Sequence, residues 1–278
     1  MEQITTPTND YNTDYFNDQI PFCSREYVER FGSIVIPIVF TIVIILSLIG
    51  NIMVLVILVL YESLQSLTNI FILNLAVSDL MFTLGLPFWA SYYWLLGWIF
   101  GDAICKGVNF VFFAGFYSSL LFLMLMTIQR YVVVVYPLSD WETGQKFVFV
   151  PILVWVVSAA AAITASVQSS VVSDLEDPNT LYCVQISESG VFVVTYLQNL
   201  FFVSAFIVIG FCYIRILQTV FSTRAQRRHK TIKLIFCIVF VFFFSWAPYN
   251  IVIFLLSLSR HGIEAFLECN ISNALETI

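Results

Sequence analysis

The sequence predicts an all-α protein, a membrane helical bundle. Hydrophobic residues make up 60% of its 278 residues and charged residues 11%, with a mean hydropathy of +0.91. A soluble domain of this length would carry about 25% charged residues. Six stretches stay apolar over roughly 20 residues, the length that a helix needs to cross the hydrocarbon of a bilayer.

The chain divides into an amino-terminal tail and the bundle. Residues 1–33 are polar and acidic, and they predict a flexible tail followed by the bundle at 34–278. The tail has no basic region before an apolar stretch, so we expect the first span to serve as an uncleaved anchor. The helices are predicted near 34–60, 68–94, 103–135, 147–169, 190–220 and 231–259, with the start of a seventh at 273–278.

The distribution of lysine and arginine predicts the orientation. The loop at 221–230 is rich in arginine, and short basic loops remain in the cytoplasm. This predicts a multi-pass plasma-membrane protein with an extracellular amino terminus and the lipid bilayer as a partner. These arginines could be no more than a topology signal, and we expect no nucleic acid partner.

Four cysteines fall on the predicted outer side, where disulfides persist. They are Cys23, Cys105, Cys183 and Cys269. Four cysteines allow three sets of pairings, and the sequence alone does not choose among them. Asn270 begins an Asn-Ile-Ser triplet on the same side, which predicts a glycosylation site.

Asp79 is the clearest functional signal inside a span. It lies roughly 15 Å along the second helix from Asn69, near the middle of the bilayer. A carboxylate at that depth needs a cation, a proton or a polar partner, and Asn51, Asn74 and Ser119 are the expected neighbours. The alternative is a neutral acid that is hydrogen-bonded between helices.

Other polar and aromatic residues predict a cavity at the outer end. Trp89 and Tyr92 belong to an aromatic cluster that is either a ligand pocket or an interfacial belt, and Gln198 could line the same cavity. In the sixth span, Trp246 precedes Pro248, which marks either a hinge or an ordinary structural kink.

Enzymatic function is not indicated. The two histidines, His229 and His261, fall on opposite sides of the membrane, so no histidine-based triad or zinc site can assemble. We expect no catalytic residues and no metal beyond a sodium ion.

Several motifs at matching positions resemble one family. They are Gly50-Asn51, Leu75-Ala76-Val77-Ser78-Asp79-Leu80, Arg130-Tyr131, Trp155, Tyr213, Trp246-x-Pro248 and an outer Trp98…Cys105-Lys106 signature. The chain resembles the rhodopsin-like (class A) G-protein-coupled receptors of the chemokine branch, which have a seven-transmembrane architecture. Segments 61–79 and 227–250 are especially similar to receptors for XC chemokines, which implies an XC-type ligand.

The resemblance implies the partners and roles of particular residues. It implies the disulfides Cys105–Cys183 and Cys23–Cys269, and an acidic tail that holds a basic chemokine. Tyr11 and Tyr15 follow aspartates in this tail and suit either sulfation or a plain solvated tail. The ligand-binding set is Tyr11, Tyr15, Trp89, Tyr92, Tyr117, Gln198, Tyr249 and Glu276, where Glu276 is the family's pocket glutamate or only a residue that starts span seven.

The family's activation implies further roles. Arg130, Tyr131 and Tyr213, together with Trp246 and Pro248, would couple the bundle to a heterotrimeric G protein. Asp79, Asn51 and Ser119 resemble the family's allosteric sodium site.

Two departures from the family affect function. Gln129 replaces the usual aspartate before Arg130, so we expect raised basal signalling in the full-length form. The sequence ends at Ile278, where the seventh span has only begun. The alternatives are a non-signalling scavenger of chemokines and, more distantly, a transporter or channel, which would be expected to show internal repeats.

Overall fold

The computed structural model describes residues 25–62, 66–136, 149–173 and 178–222, and helical residues of the sixth span at 239–240, 243–244, 246–247 and 249–255. Five of the helices in this part of the chain are long and apolar enough to cross a membrane. The bundle therefore confirms the predicted all-α membrane architecture. The elements are α1 (Arg25–Tyr61), α2 (Leu67–Leu95), α3 (Asp102–Val135), α4 (Phe149–Gln168), β1 (Ser169–Ser173), β2 (Leu181–Gln185) and α5 (Glu188–Ser222).

Helix α3 lies at the centre of the bundle. Buried residues make up 67% of its most apolar part, against 6% for α1. Helix α3 packs against α2, α4 and α5, whereas α1 packs against α2. Many apolar side chains of α1 are not covered by other parts of the protein, as expected for a helix that faces lipid.

Helices α2 and α3 approach closely at Gly115. A Cβ atom at this position would lie 2.6 Å from the backbone nitrogen of Phe82 and 2.9 Å from its Cα. These distances are too short for any side chain, so glycine is what permits the contact. Small residues at helix crossings give this kind of close packing in membranes.

A short loop joins α2 to α3 at the end of the bundle that we call the outer end. Gly101 has a φ of 79°, a left-handed conformation that favours glycine, and α3 begins at the next residue. Trp98 is buried in this loop, and its indole nitrogen donates to the carbonyl oxygen of Gly101 (2.9 Å). The loop is therefore folded onto the bundle.

Strands β1 and β2 form an antiparallel hairpin between α4 and α5, which the sequence did not predict. The register pairs Ser169 with Gln185 and Val171 with Cys183. The backbone nitrogen of Ile186 donates to the carbonyl oxygen of Gln168 (2.8 Å), which closes the hairpin where α4 ends. The hairpin lies at the outer end of the bundle.

Helix α1 begins at Arg25, within the residues that the sequence assigned to the tail. The hydroxyl of Ser33 donates to the carbonyl oxygen of Arg30 (3.0 Å) in this exposed first part of the helix. The helix is thus longer than its apolar stretch, because polar residues can extend a helix beyond the hydrocarbon into water.

Candidate ligand cavity and signalling sites

A cavity of about 600 Å³ opens at the outer end of the bundle. Residues from α1, α2, α3, the hairpin, α5 and the sixth span surround it, and none of those described carries a charge. They are Val39, Phe40, Val43, Phe82, Leu86, Trp89, Tyr93, Asn109, Phe112, Phe113, Ser169, Cys183, Val184, Gln185, Val191, Trp246 and Tyr249. Aromatic rings with a few neutral polar groups are typical of ligand cavities.

The hairpin forms one wall of this cavity and is fixed to α3. A disulfide joins Cys105 of α3 to Cys183 of β2, which is the pairing that the resemblance implies. The side chain of Asn109 is buried and donates to the carbonyl oxygen of Cys105 (2.9 Å). The backbone nitrogen of Trp98 donates to the carbonyl oxygen of Leu181 (2.6 Å), which ties the loop after α2 to β2.

Two of the expected ligand residues line the cavity, and a third, Tyr92, packs against one of them. Trp89 and Tyr249 line it directly. The ring of Tyr92 lies 5.7 Å from that of Trp89 and 6.3 Å from that of Trp98, centroid to centroid. Tyr92 therefore supports the wall of the cavity from behind.

Two of the expected ligand residues lie outside the cavity lining. Tyr117 is fully buried and packs on Phe113 and Phe201, with centroid distances of 6.0 and 4.8 Å. Gln198 is also buried, and its amide nitrogen lies 3.4 Å from the Asn250 side-chain oxygen. Both side chains are buried between helices and do not line the cavity among the described residues, so their role in ligand binding stays a prediction.

The sequence reading missed the residues of α3 that face the cavity. Asn109, Phe112 and Phe113 line it at a spacing of three and four residues, which places them on one helix face. Phe82 of α2 lies against this face, with its ring 4.5 Å from that of Phe112. The helical spacing from Asn109 would have identified this face.

The remaining predicted site residues lie outside the described residues. They are Tyr11, Tyr15, Glu276, the Cys23–Cys269 pair, Asn270 and Pro248. They stay predictions.

A second cavity, of about 170 Å³, surrounds Asp79. Ser47, Asn51, Phe82, Phe116, Ser119 and Trp246 also line it. The hydroxyl of Ser119 donates to Oδ1 of Asp79 (2.6 Å), and the amide of Asn51 donates to Oγ of Ser47 (3.1 Å). The structure therefore brings Asp79, Asn51 and Ser119 to one cavity, and their side-chain oxygens are the kind of ligand atom that a hard cation prefers.

Asn74, the other expected neighbour of Asp79, points elsewhere. Its side-chain oxygen accepts a hydrogen bond from the indole nitrogen of Trp155 (2.9 Å), and its nitrogen donates to the carbonyl oxygen of Ile70 (2.8 Å). Asn74 therefore joins α2 to α4 and is corrected from the Asp79 site to a structural role.

Trp246 separates the two cavities. Its ring lies 4.5 Å from that of Phe116 and 5.1 Å from that of Phe82, and it lines both cavities. Its ring also contacts Tyr249 at 5.8 Å. A change in the outer cavity can therefore reach the Asp79 cavity through Trp246 or through Phe82, which also lines both cavities.

The residues expected to couple to a G protein lie at the inner end of α3 and α5. The ring of Tyr131 packs against that of Phe211 on α5, with centroids 6.0 Å apart. Arg130 is half-buried and Tyr213 is buried. Gln129 is 4% exposed, and its side-chain oxygen has no hydrogen-bond partner among the described residues.

Comparison with known proteins identifies the family. The model described as 7 transmembrane receptor (rhodopsin family) matches residues 50–278. The chain is 45% identical to the chemokine XC receptor 1 of Homo sapiens over 236 residues, which cover 84% of this chain and 68% of that receptor. The receptor of the same name from Mus musculus is 41% identical, with 86% and 72% covered.

A C-C chemokine receptor type 4 from Homo sapiens is 31% identical over 271 residues, which cover 96% of this chain and 74% of that receptor. These matches confirm the resemblance drawn from the motifs, and they exclude an enzyme. The chain belongs to the rhodopsin family of seven-transmembrane receptors and, within it, to the chemokine-binding G-protein-coupled receptors of the plasma membrane.

Proposed function

We propose that this receptor binds a basic chemokine of the XC type and signals through a heterotrimeric G protein. The observation that carries the proposal is the outer cavity, which the hairpin covers and the Cys105–Cys183 disulfide fixes to α3. The similarity to two XC receptors favours the XC type over other chemokines.

The two parts of the ligand site would have different tasks. The described residues that line the cavity are uncharged, so the cavity suits apolar, aromatic and neutral polar groups of an entering chemokine terminus. The carboxylates that attract a basic protein are in the tail, at Glu2, Asp10, Asp14, Asp18, Glu26 and Glu29. Attraction between opposite charges on a flexible tail raises the association rate more than it slows dissociation. Sulfation of Tyr11 and Tyr15 would strengthen this attraction, and Glu276 would supply a carboxylate for the chemokine's terminal amine.

The test compares labelled XC and C-C chemokines on cells that display the full-length receptor. We expect saturable binding of the XC chemokine and weak competition by the C-C chemokine. Replacement of Asp10, Asp14 and Asp18 by asparagine should slow association and reduce its dependence on salt. Replacement of Thr5, Thr8 and Thr13 by serine is the control that keeps the charge. Equal affinity for both chemokines would contradict the XC assignment.

The G-protein step would use the inner end of the bundle. Arg130, Tyr131 and Tyr213 lie there, and Trp246 with Pro248 would transmit ligand binding from the cavity. A scavenger is the second function, because Gln129 stands in place of the family's aspartate. Nucleotide exchange on a G protein, measured beside chemokine uptake, separates the two. Uptake without nucleotide exchange would favour the scavenger.

We also propose that the Asp79 cavity holds a sodium ion that favours the resting receptor. The carboxylate of Asp79 would supply the charge, and Ser119 and Asn51 would supply neutral oxygens. Sodium chloride should lower ligand-free signalling relative to choline chloride at equal ionic strength. Asp79→Asn should abolish this difference, and its persistence in that variant would contradict the site.

A further inference from the structure

We propose that Asp102 is a positioning residue that holds strand β1 over the outer cavity. This inference rests on the proposed use of that cavity for chemokine binding. Oδ1 of Asp102 accepts hydrogen bonds from the hydroxyl of Ser170 (2.6 Å) and from the backbone nitrogen of Val171 (3.0 Å). Oδ2 accepts one from the ammonium of Lys106 (2.6 Å). Both oxygens of the carboxylate are thus engaged.

The position of Asp102 complements that of the disulfide. Asp102 and Cys105 are three residues apart, so they lie on the same face of the first turn of α3. Cys105 fixes β2 through Cys183, and Asp102 fixes β1 at Ser170 and Val171. The disulfide and the hydrogen bond from Trp98 to Leu181 both act on β2. The contact with Asp102 acts on β1, so that both strands of the hairpin are held.

The contact bears directly on the shape of the cavity. The hairpin contributes Ser169 from β1, and Cys183, Val184 and Gln185 from β2, to the lining. The register pairs Ser170 with Val184 and Val171 with Cys183. Asp102 therefore holds the two residues of β1 that lie opposite Val184 and Cys183, two of the three lining residues of β2. A shift of β1 would move that wall of the cavity.

Hydrogen bonding to Val171 also has a local cause. The sheet has two strands among the described residues, so each strand has an edge with no neighbouring strand. Backbone groups on such an edge need a partner other than a strand. Asp102 supplies that partner for Val171, and the exposed pair with Lys106 adds little by itself because solvent screens it.

The experiment measures chemokine affinity and amide hydrogen exchange in the full-length receptor. We expect Asp102→Ala to weaken binding about tenfold at normal surface expression and to speed exchange at Val171. Asp102→Asn keeps an oxygen that can accept from Ser170 and Val171, so it should restore most of the affinity. Ser170→Ala should have a smaller effect in the same direction.

Lys106→Ala is the matched control. It removes the partner of Oδ2 and leaves both bonds to β1, so affinity and exchange should stay within about twofold of the unchanged receptor. A loss of affinity in Asp102→Ala without faster exchange would overturn the positioning role and assign Asp102 to direct ligand contact. Unchanged affinity in Asp102→Ala would overturn it as well.

The design separates this inference from the proposed function. Hydrogen exchange at Val171 needs no ligand, so it reports on the contact even if the unchanged receptor binds no XC chemokine. In that case the proposed function fails. Faster exchange at Val171 in Asp102→Ala than in the unchanged receptor would still support the contact. If Asp102→Ala does not reach the cell surface, Asp102→Asn and Ser170→Ala give the same two measurements. Exchange in Ser170→Ala equal to that in Lys106→Ala would then overturn the role.

Discussion

The two ends of α3 differ in how its polar side chains are held. At the outer end, Asp102 accepts three hydrogen bonds and Cys105 is joined to the hairpin by a disulfide. At the inner end, the side-chain oxygen of Gln129 is buried and has no partner in the part of the chain that the structure describes. The outer end therefore holds its carboxylate with three partners, whereas the inner end buries an amide oxygen for which the described residues supply none.

This difference matches what a receptor must do at each end. A cavity that recognises a ligand works best when its walls are held in place before binding, because the ligand then spends less free energy on ordering them. An end that switches between two states needs a small free-energy gap, so that ligand binding can shift the populations. Strong fixed contacts at the inner end would enlarge that gap.

Removal of the disulfide should give the largest effect. With Cys105→Ala and Cys183→Ala together, we expect chemokine binding at the surface to fall below detection, because β2 loses its covalent tie to α3. Loss of such a bond costs about 2–5 kcal/mol in small secreted domains. Binding of labelled XC chemokine, normalised to surface receptor, measures the result.

Cys212→Ala is the control for loss of a thiol, since Cys212 is buried and not in a disulfide. It should leave chemokine binding unchanged. Normal binding by the double variant would show that the hairpin is held without the disulfide. The contrast between the two ends of α3 would then have to rest on the hydrogen bonds of the hairpin.

The middle of α3 links the two ends, and Gly115→Ala should weaken it. The added Cβ would lie 2.6 Å from the backbone nitrogen of Phe82, so α2 and α3 must separate. Overpacking of this kind costs about 1–3 kcal/mol, and we expect the melting temperature in detergent to fall by several degrees.

Gly107→Ala on the same helix is the control, because a Cβ there meets no atom within 4 Å. It should match the unchanged receptor or melt slightly higher, since alanine favours a helix. Equal melting of the two variants would contradict the close approach of α2 and α3.

Hydropathy predicted most of the helices because apolar length is a local property of the sequence. The second helix was expected at 68–94 and is found at Leu67–Leu95. The hairpin was not predicted, because its strands depend on a disulfide and on hydrogen bonds to Asp102 from residues about 70 positions away. No local pattern reports such contacts.

The site was predictable where a single polar residue stands in an apolar span, and less so where apolar side chains form the cavity wall. Asp79 and Ser119 stand out inside apolar spans, and they are hydrogen-bonded to each other. In the outer part of α3, Asn109 indicates the face that turns to the cavity, but the apolar side chains around it do not show which of them reach the lining. Phe112 and Phe113 face the cavity and Tyr117 does not, and only the packing of α3 against its neighbours decides this.

A single added carboxylate tests the comparison at the inner end of α3. Gln129→Asp places a negative charge one residue before Arg130, and this charge would hold the guanidinium in the resting arrangement. Hydrogen bonds between charged groups are stronger than neutral ones. We expect ligand-free nucleotide exchange on the G protein to fall about fivefold, which corresponds to ~1 kcal/mol.

Gln129→Asn separates the charge from the change of shape, because asparagine has the size of aspartate and no charge. It should leave ligand-free exchange within about twofold of the unchanged receptor. Chemokine affinity should stay the same in both variants, because the fixed outer end does not depend on residue 129. Equal basal activity in the aspartate and asparagine variants would show that the missing carboxylate does not set the resting state, and the packing around residue 129 would then have to account for the basal activity.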